Sequence, residues 1–134
     1  MAADPTEPRL LLFLSVDVEN STAYKNNAKR DEWPLTFKSF YIRFPEYLGK
    51  ECATKQCPLP TLWKCLGDEL VFYVRLKKSP EVLNYLRAFR DATNSYNKHL
   101  QCKRLKIRLK AAAWLAGFPV GLRYSGITVV ARKP

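Results

Sequence analysis

Thr61-Leu62-Trp63-Lys64-Cys65-Leu66-Gly67-Asp68-Glu69-Leu70-Val71-Phe72-Tyr73-Val74-Arg75-Leu76 reads as two short β-strands joined by a tight turn. Branched and aromatic residues favour strands on either side, and glycine at the first turn position suits a two-residue hairpin. Strands are therefore expected over residues 61–66 and 70–76, with Asp68 at the hairpin tip. A second acidic turn, Ser15-Val16-Asp17-Val18-Glu19-Asn20-Ser21-Thr22, follows an apolar run over residues 10–16 that reads as a buried first strand. Each turn thus delivers an aspartate at a strand's end. Carboxylates arriving from separate strands can hold a hard cation such as Mg²⁺, which takes one or two protein carboxylates and leaves its other positions to water and substrate phosphates.

Outward from these turns, Asn20-Ser21-Thr22 can cap a helix beginning near Ala23, with free N–H groups aimed at phosphates. Trp33, Phe37, Phe40, Tyr41, Phe44, Tyr47 and Leu48 recur at three- and four-residue spacing, which gives an aromatic-rich amphipathic helix with Pro34 in its first turn. That stripe is read as core packing rather than cofactor stacking. Pro45 is expected to bend or end the helix, and residues 51–60, with Pro58 and Pro60, to form a loop. Ser79 as N-cap and Pro80 at the first position open another helix, buried along Val82, Leu83, Leu86, Phe89 and Tyr96 and running to about His99. Beyond it, Arg104, Lys106, Arg108 and Lys110 alternate with Leu105, Ile107 and Leu109, a strand continuing through Leu115 with one cationic and one apolar face. Gly117-Phe118-Pro119-Val120-Gly121 is expected to break that strand, and residues 127–130 offer one more short one.

The order strand, helix, strand, strand, helix, strand is the split βαβ plan: an α+β, ferredoxin-like fold with an antiparallel sheet and helices on one face. Unrelated functions share that plan, so function has to come from the site.

With 134 residues, 47% of them hydrophobic, one globular domain is expected. The net charge of +11 attracts polyanions in general, from nucleoside triphosphates to acidic protein surfaces, and selects none of them. Cys52, Cys57, Cys65 and Cys102 form no paired C-x-x-C array and His99 is the single histidine, which speaks against a zinc site or a disulfide framework and for buried free thiols. No apolar run approaches the roughly 18 residues of a membrane span, and residues 1–9 show no targeting pattern, so a cytoplasmic protein without a membrane partner is expected.

Asp17-Val18-Glu19-Asn20-Ser21-Thr22 resembles the first metal motif of class III nucleotidyl cyclases, and Lys64-Cys65-Leu66-Gly67-Asp68-Glu69-Leu70 resembles their second metal hairpin. The likeness implies a cyclase-like catalytic domain over residues 10–121, a flexible N-terminus over 1–9 and a short divergent or truncated C-terminal segment over 122–134. It implies that Asp17 and Asp68 hold two Mg²⁺ or Mn²⁺ ions, helped by the Val18 carbonyl, and that Glu19, Asn20, Ser21 and Thr22 cradle the triphosphate. Asn20 stands where the family usually has glycine. Lys64 falls at the base-contacting position, where lysine accompanies adenine and glutamate accompanies guanine; it reads equally as a solvated strand lysine.

Within the family, the short domain and the two motifs are most similar to the bacterial anti-phage pyrimidine cyclases of Pycsar type. That likeness implies conversion of UTP, or next CTP, to cUMP or cCMP for a cyclic-nucleotide-responsive effector, by a head-to-tail homodimer with shared sites. The chain departs from the family beyond Gly121, where a Val-Asn-x-Ala-x-Arg motif is usual. Arg123 or Arg132 is left as a possible charge stabiliser.

Other readings stand beside this one. Taken singly, Asp17 can be a capping acid and Asp68 a turn residue. Gly67-Asp68-Glu69 echoes the diguanylate cyclase signature, although Leu66 replaces its first glycine. A non-catalytic nucleotide-binding relative would keep the same motifs. A ferredoxin-like RNA-binding module fits the charge, but no basic-Gly-aromatic octapeptide is present, so nucleic acid is not the expected partner.

Overall fold

Alternation along the first strand sets the two faces of the sheet. In β1 (Arg9–Glu19), Leu10, Leu12, Leu14, Val16 and Val18 are buried, while the residues between them stay half-exposed on the opposite face. The computed structural model describes residues 9–27, 32–118, 123–124 and 127–128. After β1 come α1 (Ser21–Asn27), α2 (Glu32–Thr54), β2 (Thr61–Leu66), β3 (Glu69–Leu76), α3 (Glu81–Cys102) and β4 (Arg108–Phe118). Strands β1 to β4 make one antiparallel sheet in the order β2-β3-β1-β4, and β5 (Arg123–Tyr124) and β6 (Ile127–Thr128) pair with each other. Both long helices cover one face, as the split βαβ plan requires.

The aromatic stripe builds the core. Phe37, Phe40, Phe44, Leu48 and Cys52 of α2 are buried at three- and four-residue steps. Phe44 meets Phe40, Phe72, Phe89 and Tyr96 with ring centroids 5.7–6.2 Å apart. On the facing side, α3 buries Tyr85, Ala88, Phe89, Ala92, Tyr96 and Leu100.

Five expectations about element ends are corrected. Pro45 lies inside α2 and does not end it, because the flanking Phe44 and Leu48 are fully buried and their packing outweighs the roughly 3 kcal/mol that an internal proline costs. The helix runs on to Thr54, so residues 51–54 are helical rather than loop. Ser79 is not the N-cap of α3: Pro80 holds that position without a side-chain cap, and the Glu81 carboxylate instead accepts the Lys77 and Lys78 N–H groups at 2.9 and 2.6 Å. The basic strand starts at Arg108 rather than Arg104, since residues 104 and 105 close the preceding helix through Arg104 N–H to Gln101 O and Leu105 N–H to Leu100 O. At its far end Gly117 and Phe118 continue the strand, paired with Leu10 and Arg9. The expected break therefore does not begin at Gly117, and the rest of that stretch, residues 119–121, lies outside the described residues.

The outer edge of β4 is held at one point by α3. Asn97 accepts the Leu109 N–H at 2.6 Å through Oδ1 and donates to the Leu109 carbonyl at 3.2 Å through Nδ2, standing in for one rung of a missing strand. Among the described residues no helix is long and apolar enough to cross a membrane. The thiols are less uniform than expected: Cys52 is buried and Cys57 half-buried, whereas Cys65 and Cys102 are exposed.

Phe44→Ala is expected to destabilise the chain by about 3–5 kcal/mol in urea denaturation, because its ring is fully enclosed. Leu35→Ala, at a 66% exposed position, should change stability by less than about 0.5 kcal/mol.

Candidate metal and nucleotide site

Asp17 stands near the end of β1 with Glu69 of β3 opposite on one side and Lys110 of β4 opposite on the other. One residue later, the Val18 N–H donates to the Asp68 carbonyl at 3.1 Å, which pins the hairpin tip against β1. N–H and C=O of a strand residue point to the same edge, so the Val18 carbonyl faces the same tip. At that tip Gly67 has φ +58 and no other described atom within 4 Å of where a Cβ would sit. Positive φ at the first turn position is what a two-residue hairpin of this class demands.

Asn20 turns the chain from β1 into α1 with φ 61, a left-handed conformation that Asn tolerates better than most residues. Its carbonyl accepts the Tyr24 N–H at 3.0 Å, the first helical bond. The helix accordingly starts at Ser21, two residues before the position expected. N–H groups of the first turn have no partner within the helix, and Ser21 and Thr22 join Asp17, Val18, Glu19, Asn20, Asp68 and Lys110 in lining an open cleft of about 630 Å³. Eight of the residues singled out from sequence therefore share one concavity, if Lys110 of the basic strand is included.

Electrostatically the cleft is crowded with acid. Burial pushes the Asp17 carboxyl above its ordinary range; Lys110 opposes that rise, and Asp68, Glu69 and Glu19 add to it. Lys110 Nζ lies 3.9 Å from Asp17 Oδ2, and Arg108 Nε lies 3.4 Å from Glu19 Oε2. Among the described residues no set of three or more His, Cys, Asp or Glu side chains is gathered for a metal. Two carboxylates and one backbone carbonyl suit a hard ion that keeps water and phosphate ligands, so Mg²⁺ or Mn²⁺ fits this donor set and a fully protein-caged Zn²⁺ does not.

No protein-family model matches the chain, and no curated protein matches it. Solved structures do. The adenylyl cyclase CyaB from P. aeruginosa superposes with a TM-score of 0.55 at 10% identity, over 83% of this chain and 58% of that one. The chain shares the α+β, ferredoxin-like fold of the matched part of that structure. The GGDEF domain of DgcB from Caulobacter crescentus, solved in complex with c-di-GMP, is also similar, with a TM-score of 0.42 and 8% identity over 90% of this chain and 63% of that one. The chain spans less than two thirds of the length of either structure.

On this cyclase-type fold Lys64 lies away from the carboxylate cleft. A β-bulge between Leu62 and Lys64 breaks the alternation of β2, so the adjacent Trp63 and Lys64 both reach the uncovered face of the sheet. Trp63 packs on Phe13 at 5.5 Å, and Lys64 Nζ sits 4.2 Å from the centre of the Trp63 ring. Arg123 falls in β5, of which only the backbone is described, and Arg132 lies outside the described residues. Two contributors escaped the sequence reading. Lys110 appeared only as one cation of a basic face, and its place beside Asp17 follows from the register of β1 with β4. Tyr41, assigned to the core stripe, faces the hairpin from the helix side, and its hydroxyl is raised by burial first and then by its neighbours Cys65 and Asp68.

Mn²⁺ binding is expected to weaken as pH falls, because a proton competes for Asp17, with a midpoint above the 3.8 of an ordinary aspartate. Calorimetric titration across pH checks the direction. Lys110 is 63% exposed, so a water-like dielectric applies; charges about 4 Å apart then interact by about 1 kcal/mol, and Lys110→Met should tighten Mn²⁺ binding roughly five-fold.

Proposed function

We propose that this chain carries the catalytic core of a nucleotide cyclase that converts a pyrimidine nucleoside triphosphate, UTP first and CTP next, to its 3′,5′-cyclic monophosphate and pyrophosphate. The observation that carries this reading is the meeting of Asp17 and Asp68, from two separate strand ends, in one cleft beside the turn into α1. In this reading Asp17, Asp68 and the Val18 carbonyl hold two Mg²⁺ or Mn²⁺ ions. Such ions, when bound, acidify the ribose 3′-hydroxyl and neutralise charge on the α-phosphate.

The chain's own groups bind and orient. The turn from Glu19 to Thr22 takes the β- and γ-phosphates, with free backbone donors where it enters α1. Lys110 stands at the cleft wall and Arg108 pairs with Glu19 beside it, and cations there favour the triphosphate and the departing pyrophosphate. The 3′-oxygen attacks the α-phosphorus in line with the bond to the β-phosphate, which breaks, so positioning is most of what the protein supplies. Arg123 or Arg132 would serve as the remaining charge stabiliser; a group of that kind is commonly worth about 10²- to 10³-fold in rate.

Base recognition falls to Lys64 of a second subunit in a head-to-tail homodimer. What supports the dimer is the uncovered sheet face, where Phe13 stacks on Trp114 at 5.4 Å and Trp63 and Trp114 remain 52% and 45% exposed. Apolar aromatic surface of this kind marks a face that meets a partner. The cyclic product would act as a second messenger in anti-phage defence by switching on an effector.

A second reading rests on the same aromatic face. Phe13 and Tyr73 on the two central strands, flanked by Trp63 and Trp114, are placed as stacking residues are in single-strand RNA-binding sheets of this topology.

The deciding experiment incubates the purified chain with UTP, CTP, ATP and GTP plus Mn²⁺ and identifies products by mass. A cyclic pyrimidine mononucleotide that disappears in Asp68→Ala is the expected result. A folded chain that binds triphosphate and yields no product would be a non-catalytic relative. One that ignores triphosphate and binds oligonucleotide would support the second reading.

A further inference from the structure

Helix α2 ends in a Schellman motif. Cys57 N–H donates to the Cys52 carbonyl at 2.9 Å, Gln56 N–H donates to the Ala53 carbonyl at 3.2 Å, and Gln56 has φ 55. These are the 6→1 and 5→2 bonds of that motif, whose first and sixth side chains come into contact. Helix α3 ends in the same way, with Leu105 N–H to Leu100 O at 3.1 Å, Arg104 N–H to Gln101 O at 2.9 Å and Arg104 at φ 56. There the two residues that meet are leucines. At the end of α2 they are cysteines.

The pair is placed for a bond. A 2.9 Å hydrogen bond between the two backbones leaves their Cα atoms under about 7 Å apart once standard bond lengths are added, which is within reach of a disulfide. The two thiols are near enough for Cys57 to raise the Cys52 thiol. Cys52 is 1% exposed in the core, and Cys57 packs half-buried against it on the solvent side. The other thiols, Cys65 and Cys102, are exposed on β2 and at the end of α3.

We propose that Cys52 and Cys57 form an oxidative modification site, closing to an intrachain disulfide when a peroxide reaches Cys57. The Cys57 thiolate attacks one peroxide oxygen, the O–O bond breaks, and Cys57 sulfenic acid and hydroxide result. Cys52 sulfur then attacks Cys57 sulfur; the S–O bond breaks and the oxygen leaves as water with the Cys52 proton. Two thiols lose two hydrogens and the peroxide becomes two waters. Burial, and then the neighbouring Cys57, push the Cys52 thiol up to about 12, so the half-buried Cys57 and not the core thiol is the one that meets the peroxide first. The bridge would tie the end of α2 to the segment that leads into β2, the strand bearing Trp63 and Lys64.

The full chain is treated with hydrogen peroxide, unfolded, alkylated and mapped by mass spectrometry. The expected result is the loss of two alkylatable thiols with a linked Cys52–Cys57 peptide, restored by dithiothreitol. Cys57→Ser should lose the bridge and leave Cys52 alkylatable, while Cys102→Ser should keep the bridge. Persistence of both thiols after peroxide, or a bridge that uses Cys65 or Cys102 instead, would overturn the proposal.

Discussion

One hydrogen bond, from the Val18 N–H to the Asp68 carbonyl, holds the cleft together. It joins the end of the first strand to the tip of a hairpin about fifty residues away in sequence, and it brings a second carboxylate to the one that β1 already carries. Its geometry depends on two further features. Gly67 supplies the positive φ that lets the hairpin turn in two residues, and the antiparallel register of β1 with β3 places Asp17 against Glu69. A slip of one residue would turn Asp17 into the core and Val16 or Val18 out of it. The buried row from Leu10 to Val18 therefore fixes the acidic cleft as firmly as it fixes the core.

Like charges gathered in this way are costly, and neighbouring cations offset part of that cost. Lys110 reaches over from the neighbouring strand, and Arg108 does the same for Glu19. Both are exposed cations whose attraction is screened, so they balance the acids loosely and leave room for a stronger cation. The basic side of β4 thus has one end committed to the cleft.

Much of this was legible in the amino-acid order. An apolar run exposed β1, branched and aromatic residues exposed β2 and β3, glycine at position 67 exposed the turn, and the three-and-four spacing from Phe37 to Leu48 exposed the main helix. Failures arose where tertiary packing overrode a local rule. Pro45 is carried inside a helix by the buried rings around it, and the alternating run from Arg104 gives up its first residues to a helix cap before a strand can begin. The bulge at Trp63 was invisible because alternation cannot reveal an extra residue, yet it puts Lys64 and Trp63 on one face. Pairing of Lys110 with Asp17 was invisible for another reason: register between strands some ninety residues apart is set by the whole sheet rather than by any local pattern.

The central claim, that the two strand-end aspartates are one cation site, is tested most directly by adding Mn²⁺ to the isotopically labelled chain and following paramagnetic broadening of its amide signals. The account predicts that the amides of residues 17–22 and 67–69 broaden first and together, and that Asp17→Asn removes the effect at both segments. Broadening centred on another acidic group, such as Glu51 and Asp91 around Lys55, or broadening at one segment without the other, would contradict it.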